Sequence, residues 1–311
     1  MDCALIGVDW GTTRLRAFRI GVDGRILERR ASDRGVVEIR DGDFDRALRD
    51  VMGGWPSDIP ILMCGMIGSR QGWTEVPYRP CPACVSDLAD TLCPIETSCG
   101  PAWIVGGVCA MNAPNGAAER GARKLYDVMR GEETQMLGVA PDAGRTVMIT
   151  PGTHSKWAVV QAGSIESFRT HMTGEIYAVL QKHSILGSLM PEGNAGQFDE
   201  ASFLDGVHLG LEEVALSHAL FSVRTQGLFA QKSPPELVHY LSGILIGSEV
   251  SAEARSHAMD STVVVIASAE LAGRYQIALS ACGFCDVRHV DAEGAVAQGL
   301  WKLWQLRARA P

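Results

Sequence analysis

Three features that would assign the chain to other classes of protein are missing from its sequence. It has no run or stripe of basic residues, and its 311 residues carry a formal net charge of −8, which argues against a nucleic-acid partner. No apolar stretch approaches the roughly 18 residues that span a bilayer, so no membrane association is expected. The N-terminus also lacks the basic and apolar segments of a secretory signal. We therefore expect a cytoplasmic protein.

The cysteines do not form a recognisable disulfide or zinc pattern. There are nine, an odd number, scattered along the chain. Cys81–Cys84 and Cys282–Cys285 have metal-like spacing, and a zinc site with one pair from each is an alternative. The pairs lie far apart in the sequence, however, and no neighbouring histidine completes a usual ligand set. We favour reduced thiols without a metal.

The most informative pattern in the chain is a repeated hairpin. Near the N-terminus, Leu5 to Ile20 reads as an apolar strand, a Gly-Thr turn and a second strand, and a glycine turn and a third strand follow. Val147 to Val160 repeats this order in mid-chain. The repeat predicts two similar domains, 1–139 and 140–311. Their turns offer N–H groups and hydroxyls for phosphate oxygens, from Gly11, Thr12, Thr13, Gly152, Thr153 and His154.

This duplicated hairpin resembles the actin, hexokinase and Hsp70-type ATPase fold. The resemblance implies an α/β protein of two actin-like (ribonuclease H-like) domains. Each would have a mixed sheet with flanking helices, and a nucleotide cleft would lie between them. In that fold the two loops clamp the phosphates of ATP. Thr150 and Pro151 stand where the superfamily's second loop usually has Asp-Gly, which removes one metal-associated carboxylate.

Two acidic positions are candidates for the chemistry. Asp9 ends the first strand beside Gly11, where a carboxylate can bind Mg²⁺ or its waters; the alternative is that it only caps the turn. Glu133 is the candidate general base, because phosphoryl transfer needs a carboxylate to accept the hydroxyl proton. In actin-like kinases that acid opens the helix linking the domains. Glu132 and Asp9 stay open as alternatives, and both glutamates could merely complement the helix dipole.

Two further loops are candidates for binding. A buried strand leads into the loop Gly65 to Trp73, and Gly68, Ser69 and Arg70 there would supply an amide, a hydroxyl and a guanidinium for a substrate carboxylate. The alternative is that Arg70 points to solvent. Ser268 to Tyr275 follows a strand of the second half, where this fold holds adenosine, so Ser268 and Leu271 are candidate contacts. Ordinary turn packing is the alternative.

A narrower resemblance rests on motifs spread over the whole chain. They include Asp-Trp-Gly-Thr-Thr-Arg-Leu-Arg-Ala, Cys-Gly-Met-Ile-Gly-Ser-Arg-Gln-Gly-Trp, Arg-Gly-Glu-Glu-Thr-Gln, Pro-Gly-Thr-His-Ser-Lys-Trp, Met-Thr-Gly-Glu and Leu-Ser-Gly-Ile-Leu-Ile-Gly-Ser-Glu. In their order they resemble the 2-dehydro-3-deoxygalactonokinase family. Trp10 and Glu175, which lie in these motifs, are added as candidate substrate contacts.

The family resemblance implies ATP-dependent phosphorylation of the 6-hydroxyl of 2-dehydro-3-deoxy-D-galactonate in galactonate breakdown, with Mg²⁺. A hydrolase of polyphosphate or of a nucleotide, a kinase of a different sugar, and a filament or scaffold protein on the same fold are the rivals. A homodimer and the preference between galactonate- and gluconate-derived substrates stay open.

Local patterns also predict individual elements. We expect a helix from Asp43 to Met52, and no regular structure in the proline-rich segment Val76 to Ser86. Thr173 is predicted to cap a helix. A loop is expected at Asn112 to Gly116, and a break between helices at Pro191 to Asn194.

Overall fold

The computed structural model describes residues 3–40, 42–112, 125–191 and 196–309. The chain divides into two compact units. Unit 1 comprises Met1–Arg145, Ala158–Arg169 and Val290–Pro311, and unit 2 comprises Thr146–Trp157 and Thr170–His289. The division into domains 1–139 and 140–311, which follows the sequence repeat, stays a prediction. The loop expected from Asn112 and the break expected near Pro191 lie mainly outside the described residues.

The strands of the described residues, in chain order, are β1 (Cys3–Trp10), β2 (Leu15–Gly21), β3 (Ile26–Ser32), β4 (Ile61–Cys64), β5 (Arg79–Pro80), β6 (Ala83–Cys84), β7 (Cys93–Ile95), β8 (Ala102–Ile104), β9 (Val108–Asn112), β10 (Leu125–Met129), β11 (Arg145–Thr150), β12 (Ser155–Gln161), β13 (Ser164–His171), β14 (Thr262–Ala267) and β15 (Asp286–Asp291). Their α-helices are α1 (Phe44–Met52), α2 (Val85–Ala89), α3 (Glu132–Val139), α4 (Thr173–His183), α5 (Glu200–Leu211), α6 (Leu216–Leu228), α7 (Pro234–Ala254), α8 (Ala269–Cys282) and α9 (Ala292–Arg307).

Unit 1 is built on a mixed sheet of order β3-β2-β1-β4-β8-β7. Strand β1 runs antiparallel to β2, with Asp9 opposite Arg16, and parallel to β4, with Asp9 beside Cys64. A smaller sheet of order β10-β9-β5 belongs to the same unit. Asp9 therefore lies at the carboxyl end of two parallel strands, the edge at which α/β sheets place ligands.

The core of unit 1 follows from the alternation of side chains along β1. Ile6, Val8 and Trp10 are fully buried on one face of the strand and belong to the same apolar cluster as Phe44 and Leu48 of α1. Because successive strand residues point to opposite faces, Asp9 lies on the face opposite to this cluster. The sheet thus separates this apolar core from the Asp9 carboxylate.

Most local predictions for unit 1 are confirmed, and one is wrong. The N-terminal meander is present as β1, β2 and β3, and Asp43 caps α1 by accepting a hydrogen bond from the Arg46 amide. The segment Val76 to Ser86, however, contains β5, β6 and the start of α2. The amides of Arg79 and Cys81 donate to carbonyls of Gly107 and Cys109. This pairing with a distant strand is invisible to local patterns.

Unit 2 contains only the first part of the second repeated hairpin, most of β11 and the start of β12, because residues 158–169 belong to unit 1. Its strand order is β15-β14-β11-β12, with β14 parallel to β11 and Val147 opposite Val263; the boundary between the units falls within β12. In unit 1, β13 pairs antiparallel with β6. The predicted N-cap at Thr173 is wrong, because Thr173 is the first residue of α4 and Met172 precedes it as the cap.

Helix α7 is the longest helix of unit 2 and begins with a strong start signal. Ser233 and Glu236 form a capping box ahead of a proline in the first turn. Gly243 permits the close packing that its spacing from Gly247 predicts, since an added Cβ would lie 2.1 Å from the Phe203 carbonyl oxygen of α5. No helix among the described residues is both long and apolar enough to cross a membrane.

Candidate active site

The turn between β1 and β2 leaves its predicted phosphate-binding hydroxyls at the surface. Thr12 and Thr13 are exposed. The Gly11 amide already donates to the Arg14 carbonyl at 2.9 Å, which closes the turn. The turn also lies against Gly35, where an added Cβ would come within 2.3 Å of the Thr12 carbonyl oxygen. The threonine hydroxyls, rather than the Gly11 amide, are therefore the groups that this turn presents to a phosphate.

Asp9 lies close to two other carboxylates. Its side chain is 16% exposed, and Nη1 of Arg16 lies 3.3 Å from its Oδ2. Burial raises the pKa of Asp9 above its usual value; the Arg16 guanidinium opposes this, and the carboxylates of Glu132 and Glu293 add to it. Arg29 pairs with Glu293 at 3.0 Å. The nearby carboxylates of Glu132 and Glu293 thus favour a cation beside Asp9.

Mg²⁺ fits this donor set as the partner of one carboxylate. In nucleotide sites it is typically held by one or two carboxylates, with waters and phosphate oxygens completing its shell. Asp9 would supply the carboxylate. Thr150, where the superfamily usually has aspartate, is 4% exposed, and its hydroxyl has no hydrogen-bond partner among the described residues. The second loop therefore offers no carboxylate at that position.

Glu133 combines burial with a pKa in the neutral range. It lies in the first turn of α3 and is fully buried. Its Oε2 accepts from the Gly131 amide at 2.7 Å, and its Oε1 accepts from the Thr134 hydroxyl at 2.9 Å. Burial, followed by the Glu132 carboxylate, raises the pKa of Glu133 to about 7. This is the value that suits a general base at neutral pH.

The neighbouring Glu132 differs from Glu133 in exposure. It is partly exposed, and its Oε2 accepts from the Arg130 amide at 3.0 Å. Gly131, between them and the preceding strand, has a φ of 113°, and an added Cβ would lie 3.2 Å from the Cα of Gly65. Glycine is thus required where α3 begins against the predicted sugar-acid loop. This contact brings Glu133 and the Gly65 to Trp73 loop together.

The Gly65 to Trp73 loop presents one of its predicted binding side chains to solvent. Ser69 is 9% exposed, and its hydroxyl accepts from the Gln71 amide. The Arg70 side chain is 86% exposed, and its Nε lies 3.5 Å from a carboxylate oxygen of Glu75. Arg70 therefore points to solvent in this structure, which is the alternative that the sequence left open.

Trp10, a predicted substrate contact, lies in the core of unit 1. It is fully buried, its Nε1 donates to the Arg34 carbonyl at 3.0 Å, and its ring packs edge-on against Phe44. Alternation along β1 explains this position, because Asp9 and Trp10 are successive residues and point to opposite faces of the sheet. The Trp10 ring therefore supports the sheet that carries Asp9.

Arg130 is a charged residue of this region that the sequence interpretation overlooked. The residue is 8% exposed. Its guanidinium donates from Nη2 to the Val76 carbonyl at 2.8 Å and lies 4.3 Å from the Tyr78 ring centroid. Its Nε and Nη1 have no hydrogen-bond partner among the described residues. An added Cβ at Gly68 would lie 2.9 Å from Nη1. The only sequence signal was its place in the Arg-Gly-Glu-Glu motif.

The second predicted phosphate loop is tied to the first turn of α4. Gly152, Thr153 and His154 are exposed. The Glu175 amide donates to the Thr153 carbonyl at 3.0 Å, and His154 Nε2 lies 2.5 Å from Glu175 Oε2. An added Cβ at Gly174 would lie 2.3 Å from the Gly152 carbonyl oxygen. The structure thus brings together His154 and Glu175, to which the sequence gave separate roles.

A cavity of about 220 Å³ in unit 2 opens beside this loop. Apolar and aromatic side chains provide most of its wall, with a few polar groups among them; it is lined by Gly152, Thr173, Gly174, Tyr177, Ser242, Leu245, Ile246, Leu271, Arg274 and Tyr275. Of the two predicted adenosine contacts, Leu271 lines the cavity, whereas Ser268 is the exposed N-cap of α8. Apart from Gly152 of the second loop, the remaining lining residues come from α4, α7 and α8, which local patterns could not bring together.

The cysteines form no metal centre in the part of the chain that the structure describes. All nine are free thiols. Within the described ranges, no group of three or more His, Cys, Asp or Glu side chains is placed to hold a metal ion. Burial raises the pKa of Cys81 to about 12, with the Cys109 sulfur as the next contributor. Its thiol is therefore protonated at neutral pH and is a poor metal ligand in that form.

The chain is similar over nearly its whole length to proteins of one family. A sequence-family model described as 2-keto-3-deoxy-galactonokinase matches residues 9–303. The 2-dehydro-3-deoxygalactonokinase of Escherichia coli (strain K12) is 35% identical over 303 residues, which are 96% of this chain and 97% of that protein.

Solved structures agree with the sequence match. The crystal structure of a Sinorhizobium meliloti protein assigned to the same kinase activity has a TM-score of 0.85 at 35% identity, and the match covers 97% of this chain and 98% of that one. The activator of the 2-hydroxyisocaproyl-CoA dehydratase from Clostridium difficile, solved with bound ADPNP, has a TM-score of 0.51 at 12% identity over 98% and 96% of the two chains. That likeness concerns the fold alone. The predicted actin-like α/β fold is confirmed.

Proposed function

The chain belongs to the 2-keto-3-deoxy-galactonokinase family, and from this premise we propose that it transfers the γ-phosphoryl group of ATP to the 6-hydroxyl of 2-dehydro-3-deoxy-D-galactonate. The products are 2-dehydro-3-deoxy-6-phospho-D-galactonate and ADP. The observation that carries the proposal is the 35% identity to the Escherichia coli enzyme across almost the full length of both chains.

We propose that unit 1 supplies the carboxylate that binds the metal and the general base. Asp9 would hold Mg²⁺ directly or through water, and the ion would neutralise charge on the phosphates. The Thr12 and Thr13 hydroxyls, which are exposed beside it, would meet phosphate oxygens. Glu133 would accept the proton of the attacking 6-hydroxyl as the new oxygen–phosphorus bond forms and the bond to ADP breaks.

The pKa of Glu133 supports its role as the general base. Because its carboxylate is buried, however, the substrate hydroxyl can reach it only under one condition. At a pKa of about 7 the carboxylate is ionised in a large fraction of molecules at neutral pH and returns its proton to water readily. Both of its oxygens already accept hydrogen bonds, from Gly131 and Thr134. The substrate hydroxyl would have to replace one of these donors. Glu132, which is partly exposed, is therefore the variant to compare with it.

We propose that unit 2 binds the adenosine and the phosphates of the nucleotide. The cavity lined by Leu271, Tyr177 and Tyr275 would take adenosine, since flat aromatic and apolar walls suit a purine ring. Gly152 belongs both to this cavity and to the second loop, so the phosphates would run from the cavity toward Thr153 and His154. The pair of His154 with Glu175 would hold the imidazole in position at that loop.

Two arginines could read the carboxylate of the sugar acid. Arg70 is the more accessible, and among the described residues its exposed guanidinium pairs with Glu75 at 3.5 Å. A bidentate pair with a substrate carboxylate would be stronger than this long contact. Arg130 is buried beneath Gly68 with two nitrogens that lack partners among the described residues. We propose Arg70 as the direct contact and Arg130 as the support that holds the loop through Val76.

A coupled assay of ADP release separates this function from the hydrolase alternative. We expect release of ADP only when 2-dehydro-3-deoxy-D-galactonate is present, with one sugar phosphate formed for each ADP. Release of ADP and inorganic phosphate at the same rate without the sugar acid would overturn the kinase proposal and favour a phosphohydrolase. The Asp9→Asn variant in both arms shows whether the observed activity belongs to this protein.

We further infer a cytoplasmic location, as the sequence leads us to expect. The oligomeric state, which the sequence leaves open, is measured by light scattering with and without ATP. The same measurement separates an enzyme of fixed size from a filament-forming protein, whose scattering would rise with ATP.

A further inference from the structure

Glu249 is a buried carboxylate to which neither the fold nor the proposed chemistry gives a role. It lies in α7, is 3% exposed, and ends the motif Leu-Ser-Gly-Ile-Leu-Ile-Gly-Ser-Glu. A buried carboxylate is costly unless hydrogen bonds or an opposite charge compensate it. Its surroundings therefore show what the molecule gains from keeping it.

Four hydrogen-bond donors from three separate elements converge on Glu249. Ser155 Oγ and Trp157 Nε1, both of β12, each lie 2.7 Å from Oε1. Thr173 Oγ1, at the start of α4, donates to Oε2. Tyr275 OH of α8 lies 3.0 Å from both carboxylate oxygens. The carboxylate is thus an acceptor shared by β12, α4 and α8.

The Tyr275 hydroxyl keeps its proton at neutral pH and can donate it to Glu249. Burial, and after it the Glu249 carboxylate, raises the pKa of Tyr275 well above its usual value. The phenol therefore stays protonated. Trp157 can only donate through its indole nitrogen, and the Tyr275 phenol also brings a proton, so both groups are matched by an acceptor at this point. A glutamate supplies this acceptor with both oxygens.

Three of the four donors lie in or directly beside the proposed nucleotide site. Ser155 is the first residue after the loop Gly152 to His154, and Thr173 and Tyr275 line the cavity proposed for adenosine. Glu249 itself lies behind that wall and is absent from the lining. It connects the end of the phosphate loop with two walls of the adenosine cavity.

We propose that Glu249 is a positioning residue that sets the distance between the second phosphate loop and the adenosine cavity. The inference rests on the proposed function in one respect, namely that a nucleotide occupies this cavity. A ligand that contacts both parts, such as ADP, gains from their fixed spacing, because each contact is then made without further loss of freedom. Adenosine contacts only the cavity, so the fixed spacing adds little to its affinity.

This difference supplies a test that a merely structural residue would not pass. We compare the binding of ADP and of adenosine to Glu249→Gln by calorimetry, without sugar acid. Glutamine keeps one acceptor oxygen for Ser155 and Trp157, but the amide nitrogen that replaces the other oxygen cannot accept from Thr173. We expect the affinity for ADP to fall at least about tenfold and that for adenosine by less than about threefold. The KM for the sugar acid should not change.

The matched control is Glu253→Gln, one turn along the same helix and equally buried, where the carboxylate binds His171 instead. It should leave both affinities within about twofold of the unmodified protein. If Glu249→Gln does not fold, Tyr275→Phe and Ser155→Ala each remove one of the four donors to Glu249. Each of these variants should weaken the binding of ADP more than the binding of adenosine.

Two results would overturn the inference in different ways. If the binding of ADP and of adenosine is weakened equally, or if neither is weakened, Glu249 has only a structural role, and the proposed nucleotide site is unaffected. Failure of the unmodified protein to bind ADP would overturn the proposed nucleotide site itself, and the role of Glu249 with it.

Discussion

Replacement of Glu133 by glutamine should stabilise the protein at neutral and higher pH while it impairs turnover. The native carboxylate is fully buried, and burial together with Glu132 raises its pKa from 4.5 to about 7. Glutamine has nearly the same shape and no charge. Its amide oxygen can accept from Gly131, and its amide nitrogen can donate to a reoriented Thr134 hydroxyl. The variant therefore keeps the packing and removes the buried charge.

The sign and size of the effect follow from the raised pKa. The folded protein binds the Glu133 proton more tightly than the unfolded chain does, so stability is lost as the pH rises from the unfolded pKa of 4.5 to the folded value of about 7. A rise of this size corresponds to about 3 kcal/mol. The free energy of unfolding of Glu133→Gln should exceed that of the unmodified protein by about 1 kcal/mol at a pH of roughly 5.5, and by about 3 kcal/mol at a pH of roughly 8.

Urea unfolding followed by tryptophan fluorescence measures this difference. Six of the seven tryptophans lie in unit 1, the unit that contains Glu133, so the signal reports chiefly on the relevant part of the molecule. Glu132→Gln is the matched control, and a smaller gain is expected because its carboxylate is partly exposed. An equal difference in stability at both pH values would refute the inferred cost of the Glu133 charge.

The same variants test the role of Glu133 in catalysis. Loss of a general base should lower kcat by roughly 10² to 10⁴ with little change in the KM for ATP. In the unmodified enzyme, kcat/KM should rise with pH through about 7 as Glu133 loses its proton. If Glu133→Gln is more stable and still keeps its turnover while Glu132→Gln loses turnover, that combination would assign the role of general base to Glu132.

Three further results are expected. Asp9→Asn should lower kcat at least about a hundredfold and leave the fold intact, since it weakens Mg²⁺ placement; near-normal turnover at saturating Mg²⁺ would contradict the metal role. Arg70→Ala should raise the KM for the sugar acid and leave that for ATP nearly unchanged, whereas an effect seen with Arg130→Lys alone would assign the carboxylate to the buried guanidinium. Elemental analysis of chelator-treated protein should find well under one zinc per chain, and a stoichiometric zinc would contradict the assignment of free thiols.

The parts of the site that local sequence determines were predictable. The two Gly-Thr turns are exposed because each lies between adjacent strands of one hairpin, and such a turn is specified by a few neighbouring residues. Glu133 opens α3 as expected, since acidic residues suit the first turn of a helix. The burial of Trp10 was also within reach of the sequence, because a strand that presents Asp9 to a ligand must turn the next side chain the other way.

Contacts between distant segments account for what local patterns missed. Arg130 holds the carbonyl of Val76, 54 positions away, and Glu249 accepts from Ser155, 94 positions away. Neither pair has a local signature. Thr173 was predicted as a cap because its side chain suits that position, yet its hydroxyl donates to Glu249 instead. A buried acceptor therefore outweighed a local preference for capping.

Analysis of the product by mass spectrometry tests the proposed reaction most directly. The purified protein, with ATP and Mg²⁺, is given 2-dehydro-3-deoxy-D-galactonate, its gluconate-derived counterpart, and a neutral analogue in which an alcohol replaces the carboxylate. We predict the 6-phosphate of the galactonate-derived acid, and little product from the neutral analogue. Equal phosphorylation of the neutral analogue, or no phosphorylation of the galactonate-derived acid, would contradict the proposed substrate.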